Sequence, residues 1–224
     1  MKLYTPKLSD LQLNRAEIFR NLGYGDSLPD EQITEMIEYI ILHATKICRP
    51  NAGYIIQEGK LIDQKFLEIN EVSITIGPVI SRYFQHATQF ACFVATAGIE
   101  FDSYLQQLRA EGDIVNEFLA DAIGSEIAEA TVRFVIARIA EDADSLGLTA
   151  TRYYSPGYCS WHVREQEKLF SLFPNNPCDI ILNESNLMFP VKSVSGVVGL
   201  GNNIEITPHS CDICGLKTCY KRKN

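Results

Sequence analysis

Residues 113–144 read DIVNEFLADAIGSEIAEATVRFVIARIAEDAD, a run of roughly thirty residues without a proline. Within this run, large apolar residues recur at the spacing of one helix face. They are Ile114, Phe118, Ile123, Ile127, Phe134 and Ile139. The run therefore predicts one long helix, and the rest of the chain is placed on either side of it.

Small residues are concentrated around the middle of this predicted helix. Gly124 costs about 1 kcal/mol relative to alanine at such a position. Its neighbours include Ala120, Ala122, Ser125, Ala128 and Ala130. A surface of this kind accommodates either a tightly packed neighbour or a flat ligand, and both interpretations remain open.

Helices and strands occur in runs on both sides of the long helix. Upstream, the patterns predict helices at 13–22, 30–48 and 99–108, and strands at 53–56, 72–76 and 90–96, with a turn at Gly77-Pro78. Downstream, they predict a loop, a helix at 164–173 and strands at 180–182 and 194–200. Because strands and helices do not alternate strictly, the predicted fold class is α+β, with a largely antiparallel twisted sheet flanked by helices.

This pattern suggests three regions along the chain. Residues 1–50 are predicted to be a helical segment that packs on the main domain, and residues 51–207 form the α+β core. Residues 208–224 form a cysteine-containing tail.

The composition excludes several classes of partner. The net charge is −8 and the isoelectric point is near 5.1, whereas nucleic-acid binding requires a clustered cationic surface. No apolar stretch has the ~18 residues that a membrane span needs, and the N-terminus lacks an apolar signal core. We therefore expect a cytoplasmic protein that binds neither nucleic acid nor membrane.

The stretch from Arg152 to Trp161, RYYSPGYCSW, is the most informative for function. Its Pro-Gly pair predicts a turn whose glycine lets a ligand approach the backbone amides. Its three tyrosines offer flat faces and hydroxyl groups, and Arg152 offers a guanidinium suited to a carboxylate. Together they suit a zwitterionic amino acid that carries an aromatic base. A packed aromatic turn with a surface arginine explains the same residues.

A second stretch, from Asn183 to Gly196, reads NESNLMFPVKSVSG. The two stretches, in this order and about 30 residues apart, resemble the activation domain of cobalamin-dependent methionine synthase. That family has an Arg-x-x-Pro-Gly-Tyr turn, a helix, a Thr-Glu-Ser segment, and then a proline followed by Ser-Val-Ser-Gly. The counterparts here are 155–158, 183–185, Pro190 and 193–196.

The resemblance implies that the chain binds S-adenosylmethionine and supports reductive remethylation of cob(II)alamin. It assigns cofactor-binding roles to residues of the turn, of the Glu-Ser segment and of the long helix: Arg152, Tyr154, Pro156, Gly157, Tyr158, Glu184, Asp121 and Glu126. Arg152 lies one residue earlier than the family's arginine, so its role requires a bulge or a shifted register. The family's helix glutamate aligns with Ser125, and Asp121 and Glu126 are its stand-ins.

The resemblance also implies partners. No cobalamin-binding region is recognised in this sequence, so the cobalamin is expected on a partner, either a corrinoid-binding methionine synthase or a related corrinoid protein. An electron donor such as a flavodoxin-like protein is expected to supply the electron. A docking module that no longer binds S-adenosylmethionine is an alternative, because Arg152 is shifted.

The tail has the spacing of a metal site. Cys211 and Cys214 form a Cys-x-x-Cys pair, and Cys219 and His209 complete a set of four candidate ligands for zinc or an iron–sulfur cluster. A redox accessory role follows from the cluster interpretation. Reduced thiols on a tail are the competing interpretation.

Overall fold

The computed structural model describes residues 1–204. Its nine strands are β1 (Lys2–Tyr4), β2 (Asn51–Leu61), β3 (Phe66–Ile69), β4 (Val72–Thr75), β5 (Gln89–Thr96), β6 (Thr149–Tyr154), β7 (Ile181–Leu182), β8 (Met188–Phe189) and β9 (Ser193–Gly201). Its α-helices are α1 (Arg15–Asn21), α2 (Glu31–Ile47), α3 (Gly77–Ser81), α4 (Ile99–Glu111), α5 (Ile114–Ser145) and α6 (Gln166–Ser171).

Seven strands form one sheet in the order β4-β3-β2-β5-β9-β6, with β1 paired to the first part of β2. Every pair in this sheet is antiparallel. Strands β7 and β8 form a separate hairpin. The α+β prediction with a largely antiparallel sheet is therefore confirmed.

Helix α5 covers one face of the sheet. Its residues Val132, Val135 and Ile139 pack against alternate residues of the central strands, including Phe93 and Val198. Helices α1, α2 and α4 pack on the other side of α5 and bury a second apolar cluster. The predicted N-terminal segment contributes two of these helices, but it also supplies β1, which the sequence patterns did not predict.

The opposite face of the sheet carries α3, α6 and the loop that precedes α6. These elements and the sheet bury a third apolar cluster, which includes Phe84, Cys92, Tyr154, Trp161 and Leu169. The sheet thus separates an α5 side from an α6 side. Among residues 1–204, no helix is both long and apolar enough to span a bilayer.

The small surface of α5 is explained by tight packing. A Cβ atom added at Gly124 would overlap the ring of Phe101 on α4, and it would lie 3.1 Å from Cγ of Lys192. The ring of Phe101 is fully buried. The glycine therefore admits an aromatic neighbour and the stem of a lysine at the middle of the helix.

Candidate functional site

Strand β6 presents successive tyrosines to the two sides of the sheet, because side chains alternate along a strand. The Tyr153 ring packs edge-on against Phe93, with ring centroids 5.5 Å apart, and so lies on the α5 side. The Tyr154 ring stacks on Tyr83 at 5.0 Å, on the α6 side. The sequence patterns predicted a loop here, but the segment is a strand. Tyr153 and Tyr154 therefore face opposite sides of the sheet.

A tight turn follows β6. The amide of Tyr158 donates to the carbonyl oxygen of Ser155 at 3.1 Å, and the amide of Gly157 donates to that of Trp161 at 2.7 Å. Gly157 has a φ of 97°, a conformation that side chains rarely adopt. Pro156 is buried, whereas the Tyr158 side chain is exposed. The turn thus holds Tyr158 outward at the end of the strand.

Three polar residues of α5, Asp121, Ser125 and Glu129, are spaced by four residues and share one face, which we call the polar stripe. It extends over ~12 Å at about 1.5 Å per residue. The Tyr153 hydroxyl donates to Oε2 of Glu129 at 3.0 Å. Burial raises the pKa of Tyr153, and the nearby Tyr158 hydroxyl and Glu129 carboxylate raise it further. Tyr158 therefore reaches the Glu129 end of the polar stripe.

Lys192 occupies the other end of the polar stripe. Its ammonium lies 2.8 Å from Oδ1 of Asp121 and donates to Oγ of Ser125 at 3.0 Å. The lysine side chain is only 9% exposed, whereas that of Asp121 is 63% exposed. Lys192 immediately precedes β9, so the strand entry, the turn after β6 and α5 meet along this stripe.

Arg152 is an exposed residue of the edge strand β6. It precedes Tyr153 in the strand, and β6 has a bulge between Ala150 and Tyr153. Burial and the neighbouring Tyr83 raise the pKa of Tyr154, and the positive charge of Arg152 opposes that rise. The bulge expected from the shifted arginine is present, but it leaves Tyr153 facing α5 and Arg152 near Tyr154.

Glu126 faces away from the polar stripe. Its carboxylate accepts a hydrogen bond from the Asn14 amide at 2.8 Å and forms an ion pair with Arg133. The side chain is almost fully buried. Glu126 therefore fastens the N-terminal segment to α5, and we leave it outside the proposed ligand site.

Glu184 lies in the turn between β7 and β8. The Asn183 side chain accepts hydrogen bonds from the amides of Ser185 and Leu187 and shapes this turn. The Gln166 side chain of α6 donates to the Asn186 carbonyl oxygen at 3.1 Å and also meets Ser195. These contacts place the hairpin on the α6 side, with Glu184 exposed. We do not assign it to the polar stripe.

The tail cysteines Cys211, Cys214 and Cys219, and His209, lie outside the described residues. Within residues 1–204, no group of three or more His, Cys, Asp or Glu side chains is arranged to hold a metal ion. The metal-site prediction concerns the tail and stays a prediction.

Three residues of this site were not among the sequence-derived candidates: Glu129, Tyr153 and Lys192. Glu129 had a visible signal, because it continues the four-residue spacing of Asp121 and Ser125. Tyr153 belongs to the tyrosine-rich stretch that the sequence singled out, but its contact with Glu129 depends on a partner more than 20 residues away. Lys192 had no signal, since its contact with Ser125 is equally distant in the chain.

Comparisons with known proteins identify the family and a similar fold. A sequence model of the vitamin B12 dependent methionine synthase activation domain matches residues 79–205, more than half of the chain. A crystal structure of the MetH reactivation domain bound to AdoHcy has a similar fold, with a TM-score of 0.71 and 15% identity, covering 93% of this chain and 80% of that one. No curated protein sequence is significantly similar to the chain. The chain belongs to the family of vitamin B12-dependent methionine synthase activation domains.

Proposed function

We propose that this chain binds S-adenosylmethionine along the polar stripe of α5 and supports reductive remethylation of cob(II)alamin. One observation carries the proposal: the turn after β6, the acidic residues of α5 and the entry to β9 meet along one surface. The structurally similar MetH reactivation domain was crystallised with AdoHcy, which has the same nucleoside skeleton as S-adenosylmethionine. A sulfonium nucleoside suits a surface that pairs carboxylates with tyrosines.

The chemical groups of the polar stripe match those of the ligand. Asp121 suits the α-ammonium group, and Glu129 suits the sulfonium centre. Tyr158 and the backbone at Gly157 shape the side that receives the adenosine. Because the ligand would bind to fixed groups at both ends of a ~12 Å stripe, its methyl group is oriented before the reaction.

The cobalamin is proposed to arrive on a separate corrinoid protein, such as a methionine synthase. Cob(II)alamin bound there would supply the cobalt centre that accepts one low-potential electron and the methyl group. The residues of this chain bind and orient the methyl donor, and no acid, base or covalent intermediate is required of them. A flavodoxin-like protein is the proposed electron donor, and cytoplasmic methionine biosynthesis is the proposed setting.

Titration of the purified full-length chain with S-adenosylmethionine tests the proposal. We expect saturable heat in calorimetry and a rise in melting temperature, with adenosine giving a weaker response. A cob(II)alamin-loaded corrinoid protein and a reductant are then added. We expect methylcobalamin to form, and its absorbance spectrum measures the product. No heat and no stabilisation at millimolar ligand would leave a docking module as the remaining function.

Tyr158→Ala should weaken S-adenosylmethionine binding about tenfold while it changes the melting temperature little. The turn that carries Tyr158 is held by backbone hydrogen bonds, and the Tyr158 hydroxyl interacts with Tyr153, whereas its exposed ring is the part offered to the ligand. A tenfold loss corresponds to about 1.4 kcal/mol, a typical contribution for one partly exposed aromatic contact. Calorimetry and thermal unfolding measure the two effects separately.

Tyr39→Ala is the matched control, because Tyr39 is an exposed tyrosine on α2. It should leave both the affinity and the melting temperature unchanged. A Tyr158→Ala variant that loses stability and affinity in parallel would instead assign Tyr158 to the packing of the turn.

The alternative redox role depends on whether the cysteine tail binds an iron–sulfur cluster. An iron–sulfur cluster at Cys211, Cys214 and Cys219 would absorb visible light in anaerobically purified protein, whereas zinc would not. Metal analysis of the purified chain distinguishes the three interpretations of the tail: iron indicates a cluster, zinc indicates a zinc site, and no metal indicates reduced thiols.

A further inference from the structure

We propose that Lys192, and not Arg152, is the cation that binds the carboxylate of the ligand. This inference rests on the proposed binding of S-adenosylmethionine and assigns one end of that site. The starting point is the position of a cation: the ammonium group of Lys192 already lies on the polar stripe, whereas Arg152 is an exposed residue of the edge strand β6.

The position of Arg152 is set by an irregular part of an edge strand. The bulge between Ala150 and Tyr153 interrupts the alternation of β6 at this residue. Arg152 is exposed, and its charge acts on Tyr154, whose ring packs on the α6 side. Lys192, in contrast, contacts Asp121 and Ser125 of α5 directly.

Lys192 is on the correct side and is held firmly. Its backbone carbonyl oxygen accepts a hydrogen bond from the Ala97 amide at 2.9 Å, so the start of its side chain is anchored beside β5. Its stem crosses Gly124, where a Cβ would lie 3.1 Å from Cγ. The ammonium group is thereby brought to α5 with little conformational freedom left to lose on binding.

The ammonium group retains capacity for a ligand. A lysine ammonium has three N–H donors, and Asp121 and Ser125 accept two of them. The third donor can bind a carboxylate oxygen. Because the lysine side chain is only 9% exposed, water competes weakly for that donor.

The charges also match an amino acid. In a zwitterion the α-ammonium and α-carboxylate groups are attached to the same carbon, so their binding groups must be neighbours. Lys192 and Asp121 are 2.8 Å apart and carry opposite charges. In the free protein they neutralise each other, and in the complex each would face the ligand group of opposite sign.

Decarboxylated S-adenosylmethionine tests this assignment, because it keeps the sulfonium, ammonium and adenosine but lacks the carboxylate. We expect the wild-type chain to bind S-adenosylmethionine about tenfold more tightly than the decarboxylated ligand, a typical value for one charge-assisted contact. Lys192→Met should abolish this preference by weakening S-adenosylmethionine binding alone. If Lys192 has only a structural role, Lys192→Met should weaken the binding of both ligands equally.

Two control variants make the test specific. Arg152→Met should keep the preference, and a loss of the preference in that variant would overturn the proposal. Lys168→Met should also keep it, since Lys168 pairs with Glu165 on the α6 side. If Lys192→Met does not fold, Lys192→Gln keeps a donor for Ser125, and the same loss of preference is expected.

The two proposals fail in different ways. A wild-type chain that binds neither ligand would overturn both the proposed function and the role of Lys192. A wild-type chain that binds both ligands equally would overturn the role of Lys192 and leave the proposed function standing.

Discussion

Gly124→Val should lower the free energy of unfolding by about 3 kcal/mol, toward the upper end of what overpacking of a core costs. The added Cβ would overlap the Phe101 ring, which is fully buried between α4 and α5 and cannot move into solvent. The two extra methyl groups of valine would also crowd the stem of Lys192. The gain in helix propensity over glycine is only a few tenths of a kcal/mol, so the steric cost dominates.

Chemical denaturation of the full-length chain measures this effect. Ala137→Val is the matched control, because Ala137 is an exposed residue of the same helix. It should cost only the difference in helix propensity, about 0.6 kcal/mol. Equal midpoints for the two variants would show that Phe101 and Lys192 can move aside, and that the glycine does not set the distance between α4 and α5.

The helices could be predicted from the sequence because their signals are local. Helix α2 begins after Asp30, whose side chain accepts a hydrogen bond from the Ile33 amide at 2.9 Å, and its apolar residues repeat on one face. Helix α5 was predicted within one residue at each end. Apolar periodicity and capping residues are read within a few positions, so tertiary contacts are not needed to recognise them.

The short strands were missed because their pairing is not local. Strand β1 has only three residues, and β3 begins with two adjacent apolar residues, Phe66 and Leu67, so neither shows a clear alternating pattern. Strand β6 was read as a loop because its Arg152-Tyr153-Tyr154 segment is polar and aromatic on both sides. Likewise Gly77-Pro78 was predicted as a turn, but Gly77 begins the short helix α3, where proline is tolerated in the first turn.

The candidate site was predictable as a region but not residue by residue. The turn at 155–158 and the acidic residues of α5 were both identified, yet a shift of one residue in a strand reverses the side on which a residue lies. In β6 the bulge between Ala150 and Tyr153 produces such a shift, and it leaves Arg152 close to Tyr154. Glu126 and Glu129 have the same chemistry, and only the distant partners Asn14 and Tyr153 distinguish a structural carboxylate from one on the polar stripe.

Glu129→Gln should weaken binding of S-adenosylmethionine about 10- to 100-fold and leave binding of AdoHcy nearly unchanged. The two ligands differ by a methyl group and a positive charge at sulfur. Two unit charges about 5 Å apart interact by roughly 3 kcal/mol at an effective dielectric constant of about 20. Solvent at this half-buried carboxylate screens part of that energy, which gives the lower end of the range.

Glutamine keeps the acceptor for the Tyr153 hydroxyl, so the Glu129→Gln variant should unfold at nearly the wild-type temperature. Glu126→Gln provides the opposite control on the same helix. It removes a buried charge that pairs with Arg133 and holds the Asn14 amide, so it should cost about 2–3 kcal/mol of stability. The folded fraction of that variant should still prefer S-adenosylmethionine over AdoHcy as the wild type does. If Glu129→Gln weakens the binding of both ligands equally, Glu129 contacts a group that the two ligands share, and the proposed position of the sulfonium beside Glu129 is wrong.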